Sequence, residues 1–206
     1  MERKSVDHIK RKASGAAVIR PELTTALYRA LFEEWSQTGF AGVSLDRVAD
    51  RAGAGKAAIY RRWPSKLAFA CEAIRSVEIM RLDFADQGSL KADIRAYVRA
   101  TRTVLRHPLV RRIVPDLVVL RLRSNELSAM LDGIVVARRK FVNRLLDRAI
   151  ARNELHANLD RELALDLMFA TLHFRMIVRR KNFTPTSVDG LVTALDSAIR
   201  SCQSAR

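Results

Sequence analysis

A chain of 206 residues that is 49% hydrophobic holds enough apolar material for one large core or two modest ones, which excludes a globally disordered protein. Its 37 Lys and Arg against 22 Asp and Glu leave a formal net charge of +15, which favours a polyanionic partner, nucleic acid ahead of an acidic membrane surface. Two cysteines, Cys71 and Cys202, and four histidines, His8, His107, His156 and His173, stand at spacings that form neither a disulfide framework nor a metal site.

Residues 1–20 carry six cations against Glu2 and Asp7, without the continuous apolar run of a secretory signal. They read as a basic arm, either laid along phosphates or the minor groove or a simple flexible tail. Pro21 suits the first turn of a helix, and Leu23, Leu27, Leu31 and Trp35 form one apolar stripe that Gly39 ends, with Phe40 and Val43 plugging the corner.

Ser44 to Lys66 is the most informative stretch. Leu45, Val48, Ala49 and Ala52 give one apolar face, and Gly53 offers the left-handed conformation of a sharp helix end. After Ala54 and Gly55 a second helix starts near Lys56 and buries Ile59 and Trp63, leaving Lys56, Ala57, Ala58, Tyr60, Arg61 and Arg62 on outward faces. That order is the logic of a helix-turn-helix. Lys56, Arg61 and Arg62 would face guanine acceptors in the major groove, Ala57 or Ala58 a thymine methyl, and Tyr60 a phosphate. Pro64 stops the helix, Ser65 caps the next, and Lys66 joins its free N–H groups as a second phosphate clamp.

These residues resemble the DNA-binding region of the tetracycline-repressor (TetR) family of bacterial transcriptional regulators. The resemblance rests on Ser44, Ala52-Gly53, Gly55-Lys56-Ala57-Ala58, Ile59-Tyr60, Trp63 and Ser65-Lys66. It implies phosphate contacts at Ser44, Tyr60 and Lys66, and positions facing base edges or the groove wall at Lys56, Ala57, Ala58 and Arg62. Ala58 departs from the hydroxyl residue common there, and Arg61-Arg62 from the common aromatic-His or Arg-His pair, so the operator sequence is not carried over.

Onward from Ser65 the pattern predicts a connecting helix to about Phe84, which completes a DNA-binding domain over residues 21–80. A helix with Leu90, Ile94, Tyr97, Val98, Thr101 and Leu105 on its stripe follows, ending near His107-Pro108. Leu109 to Leu122 is helical with Pro115 inside, where a bend or break is expected. Asn125 is expected to cap a long helix reaching about Asn153, with Arg138, Arg139, Lys140 and Arg144 on its solvated face. Asp160 caps a helix to about Arg180, and Thr184-Pro185 starts the last, with Val188, Leu191, Val192, Leu195 and Ile199 buried.

The fold class is therefore all-α: a three-helix helix-turn-helix head followed by a larger helical domain over residues 81–206. Its penultimate helix is apolar over most of its circumference, from Leu163 to Ile177, which fits either a homodimer interface or a central core helix. The resemblance implies the former, a homodimer through the last two helices that reads a palindromic operator on double-stranded DNA. It also implies a small-molecule effector, bound in the second domain, that releases the protein from DNA. The Gly88-Ser89-Leu90-Lys91-Ala92-Asp93 start and the Arg152-Asn153-Glu154-Leu155 turn resemble one common effector-domain subgroup.

Candidate effector contacts are Tyr97, Arg102, Leu105, Asp116, Phe141, Arg144, His173 and Met176. Asp116 needs a partner if buried, while an exposed turn at Pro115 accounts for it equally well. Asp166, His173 and Arg175 interrupt the longest apolar segment, which argues against a membrane span, so a cytoplasmic protein is expected. No phosphate-cradling Gly-rich loop, nucleophile elbow, metal-ligand pair or triad is present in the sequence, so no cofactor and no enzymatic activity are expected. Two rival readings remain, an architectural protein that coats DNA without sequence choice and an all-helical enzyme.

Overall fold

Local capping decides where most of the helices begin. In a computed structural model, which describes residues 21–77 and 85–202, the helices are α1 (Pro21–Gly42), α2 (Leu45–Arg51), α3 (Lys56–Tyr60), α4 (Lys66–Ser76), α5 (Leu90–Arg106), α6 (Pro108–Arg121), α7 (Asn125–Ala151), α8 (Arg161–His173) and α9 (Pro185–Ser201). The side chains of Ser44, Ser65, Ser89, Asp160 and Thr184 each accept a first-turn N–H, satisfying donors that would otherwise be orphaned. No β-strand occurs among the described residues. The expected basic arm at residues 1–20 lies outside them.

The head is built around one apolar stripe of α1. Leu27, Leu31 and Trp35 are buried against Val48, Ile59, Trp63 and Phe69. Gly39, at φ 68, turns the chain sharply near the end of α1. Two α2 arginines reach back to α1: Arg47 bonds the buried Glu34 at 2.6 Å and Arg51 bonds it at 3.2 Å. Glu72 of α4 accepts both the Tyr28 hydroxyl at 2.6 Å and the Trp63 indole N–H at 2.9 Å, which ties α1, α4 and the residues after α3 together. This core continues beyond the head, because Ile113 of α6 and Leu127 and Met130 of α7 belong to it.

A second core joins α5, α7, α8 and α9 through residues such as Leu90, Ile94, Leu145, Leu146, Met168, Val192 and Ile199. One polar node closes it. The Arg152 guanidinium reaches Asp86 at 2.6 Å, the fully buried Asp93 at 3.0 Å and Glu154 at 2.6 Å, while Glu154 accepts the Leu90 N–H at 2.8 Å. The two stretches that the sequence sets far apart, 88–93 and 152–155, are thus one contact. At the end of α7, Asn153 adopts φ 58, and the Asn153 and Glu154 N–H groups bond the Ile150 and Ala149 carbonyls.

Several sequence expectations require correction. The described part of the connecting helix ends at Ser76, and Val77 is already extended; residues 78–84 lie outside the description. Helix α6 runs through Pro115 without a break. Ser124, not Asn125, caps α7, since it lies one residue before the first helical position and its hydroxyl accepts the Leu127 N–H. Helix α8 does not continue unchanged to Arg180 but passes into a π-helical segment, Phe174–Val178, which re-aims the side chains after His173. None of the helices described is long and apolar enough to cross a membrane.

Candidate DNA-reading surface and apolar cavity

The corner between α2 and α3 closes as the sequence predicts. Gly53 sits at φ 63, its N–H bonds the Asp50 carbonyl, and the Ala54 N–H bonds the Ala49 carbonyl at 2.9 Å, which satisfies the last carbonyls of α2. Ile59 and Trp63 then anchor α3 and the turn after it, with at most 3% of either exposed. With these two turned inward, Lys56, Ala57, Tyr60 and Arg61 are exposed and Ala58 is half-buried beside them. Ser44 stands at the start of α2, where its oxygen accepts the Arg47 N–H at 3.4 Å and its own O–H remains able to donate outward.

The cations of this surface differ in how they are held. Lys56 pairs with Asp46 across the corner at 2.6 Å, and that hydrogen bond raises the pKa of its ammonium. Arg61 is exposed. Arg62, which the sequence places toward base edges, instead donates to the Thr24 hydroxyl at 2.7 Å and lies 4.5 Å over the Trp63 ring. Lys66, expected at a phosphate, donates its ammonium to the Phe40, Ala41 and Val43 carbonyls at 2.9, 3.1 and 3.3 Å. Partial burial lowers its pKa. It closes the end of α1, a role that its place at the start of α4 does not reveal.

The second feature is a cavity of about 420 Å³ where α6 crosses α5, α7 and α8 beneath the head. Its walls are mainly aliphatic, including Val110, Ile113, Val114 and Leu117 of α6 and Leu131 and Ile134 of α7, with Phe32 of α1 and Ile74 of α4 closing the head side. The polar groups on it are His107, Arg121, Arg138 and His173. His173 has its pKa lowered by burial and by the Arg138 charge.

Of the eight residues proposed for this cavity from sequence, it brings together only Leu105 and His173. Tyr97 lies in an adjoining recess of about 90 Å³ whose wall also includes Arg138. Arg102 donates to the Phe183 carbonyl at 2.9 and 3.2 Å and so pins α5 to the segment before α9. Phe141 and Met176 are core residues outside both walls, and Arg144 is exposed with its guanidinium 5.7 Å from the Phe141 ring.

Asp116 has a different task. One of its oxygens accepts the Trp35 indole N–H at 3.0 Å and the Phe40 N–H at 2.9 Å, so it bonds α6 to the end of α1. Arg138, read from sequence as part of a solvated face, is half-buried with its guanidinium 4.6 Å over the Phe169 ring. Sequence periodicity leaves it ambiguous, because Arg138 lies between Val135 and Phe141 on the boundary of the buried stripe.

Comparison with known proteins covers both parts. The family model for bacterial regulatory proteins of the tetR family matches residues 27–73, and the tetracyclin repressor-like C-terminal domain matches residues 84–195. An HTH-type transcriptional regulator of Mycobacterium tuberculosis is 32% identical over 83% of this chain and 82% of its own length. A transcriptional regulator from Pseudomonas aeruginosa PAO1 superposes with a TM-score of 0.74 at 21% identity, covering 90% of this chain and 94% of that one. FadR from Bacillus subtilis, solved in complex with stearoyl-CoA, superposes with a TM-score of 0.64 at 17% identity, covering 86% and 97%.

Proposed function

This chain belongs to the tetracycline-repressor family of bacterial regulatory proteins and is a DNA-binding transcriptional regulator, and we propose that it is a cytoplasmic homodimer that reads a palindromic operator and leaves it when a small molecule fills the α6 cavity. The observation that carries the reading is the α3 surface: a helix held by Ile59 and Trp63 at a glycine corner, with Lys56, Tyr60 and Arg61 outward.

At that surface Lys56 and Arg61 meet base edges, Ala57 and Ala58 approach thymine methyl groups, and Ser44 and Tyr60 bond phosphates. Lys56 must exchange Asp46 for a guanine acceptor or a phosphate, so Asp46 holds it in place until DNA arrives. Arg62 and Lys66 keep the head rigid in this account, one against Thr24 and Trp63, the other against the end of α1.

Dimerisation follows from the outer face of the penultimate helix. Leu163, Phe174 and Val178 are about half exposed, and Leu167 lies on the same side between them. A second copy packed on α8 and α9 covers that row and sets two α3 helices on one side of a duplex, about one DNA turn or a multiple apart.

Release uses the position of α6. Its one side lines the cavity through Ile113, Val114 and Leu117, and its other side holds Trp35 and Phe40 through Asp116. A ligand that displaces α6 thereby moves the end of α1, which carries α2 and α3. By linkage, DNA weakens the ligand by the same factor, typically ~1–3 kcal/mol. FadR, a neighbour in fold that holds stearoyl-CoA, supports an effector with a long apolar chain. Selection from a random duplex pool tests the whole reading: enrichment of one inverted repeat supports it, and recovery of no preferred sequence favours an architectural DNA-coating protein.

A further inference from the structure

The cavity wall is aliphatic almost throughout, which makes its one deep cation conspicuous. Arg138 enters from α7 between the main cavity and the adjoining recess, whose walls share Val135, Arg138 and Phe169. Arg121, nearer the surface, is paired with Asp132. Arg138 has no carboxylate within ion-pair distance among the described residues, and its interaction partner is the face of Phe169. A guanidinium half removed from water, with the Phe169 ring, the His173 imidazole and the Tyr97 hydroxyl near it but no carboxylate, is costly unless an anion arrives.

The recess holds a second unsatisfied group. The Tyr97 hydroxyl is buried beside the Thr101 hydroxyl, four residues on along α5, with no bond of good geometry to it or to any other described group, and burial raises its pKa, so it can donate a proton at neutral pH. Phe141 stacks on its ring and fixes it, with centroids 6.3 Å apart. The recess volume of about 90 Å³ is room for roughly three waters by liquid volume, or for one carboxylate. The other charged groups on it are Arg139, which pairs with Glu162, and the exposed Asp166.

We propose that the effector is an apolar molecule bearing a single carboxylate, its body filling the α6 cavity and its carboxylate seated between the Arg138 guanidinium and the Tyr97 hydroxyl. This deepens the reading of the cavity as the effector site and rests on it. Two charge-assisted bonds in a site shielded from water then select the anion over an uncharged head of the same length. The cavity volume, about 420 Å³, falls in the range of sites for drug-sized ligands, roughly 300–1,000 Å³.

The test is calorimetric titration of the full chain with straight-chain alkanoates of eight to twelve carbons and with 1-alkanols of the same lengths. The carboxylate should bind about 10- to 100-fold more tightly than its alcohol, the range for hydrogen bonds to a charged group. Arg138→Gln should erase that preference and leave alcohol binding in place, whereas Arg138→Lys should keep part of it and Tyr97→Phe reduce it. Equal affinity of acid and alcohol for the wild-type chain, or a preference that survives Arg138→Gln, overturns the carboxylate assignment while leaving the cavity as the effector site. Failure of both series to bind the folded chain overturns the assignment and the effector reading together. The wild-type comparison decides the matter even if a variant does not fold.

Discussion

Asp116 accepts the indole N–H of Trp35 at 3.0 Å, a bond between residues 81 positions apart that joins the cavity helix to the end of the first helix of the head. The same oxygen holds the Phe40 N–H, so Asp116→Ala leaves the buried Trp35 indole and a half-buried backbone N–H without an acceptor. Chemical denaturation should show a loss of about 1–3 kcal/mol, while Asp116→Asn, which keeps one carbonyl oxygen, should lose less. If the bond also relays the cavity to the head, Asp116→Ala should bind operator with a reduced response to ligand. An unchanged response would place the relay elsewhere.

The reading surface divides by role. Lys56→Ala and Arg61→Ala should each relax base preference at particular positions by about 1–3 kcal/mol, whereas Tyr60→Phe should weaken all sites similarly. Arg62→Ala should act mainly on the stability of the head, because its guanidinium is held by Thr24 and Trp63. Selection with each variant checks this, and a change in preferred sequence for Arg62→Ala would return it to the groove.

Removing Arg152 strands the fully buried Asp93 and releases Glu154 from its place at the start of α5. Arg152→Ala should destabilise the second core by about 3 kcal/mol or more, the penalty for a buried charge left without its partner. Arg152→Lys cannot reach three carboxylates with one ammonium and should recover only part. Thermal unfolding of both variants supplies the comparison.

His173 adds a pH dependence of definite sign. Burial and the Arg138 charge place its folded pKa below the ordinary 6.5, so the unfolded chain takes up its proton first as pH falls. The contribution is present above pH 6.5 and is lost progressively below it, through the depressed folded value. Denaturation midpoints for wild type and His173→Asn should therefore converge or cross as pH is lowered from 7.5 to 5.5. Parallel curves would show that His173 does not titrate in that interval.

The head was legible in the sequence because its signals are local. Ser44, Gly53 and Ser65 each act within a few residues, through a hydroxyl cap or a left-handed turn, and Ile59 and Trp63 are the apolar pair on a short basic helix and the turn that follows it. The tasks of Arg62, Lys66 and Asp116 were not legible, since each bonds a residue 23 to 81 positions away. Long side chains at helix edges admit two orientations that periodicity does not separate, and Arg138 is the case with most consequence. The cavity walls were hidden for a related reason: an aliphatic residue on a buried stripe looks the same whether it meets another side chain or an empty volume. Asn125 was displaced by Ser124 because two capping residues in succession leave the register open by one.

The most direct measurement is binding of the full chain to its selected site with the spacing between half-sites changed. A twofold pair of α3 helices predicts that inserting five base pairs at the centre, half a helical turn, abolishes tight binding, and that an isolated half-site binds weakly. A half-site that binds as tightly as the intact repeat, or indifference to the insertion, would contradict the account.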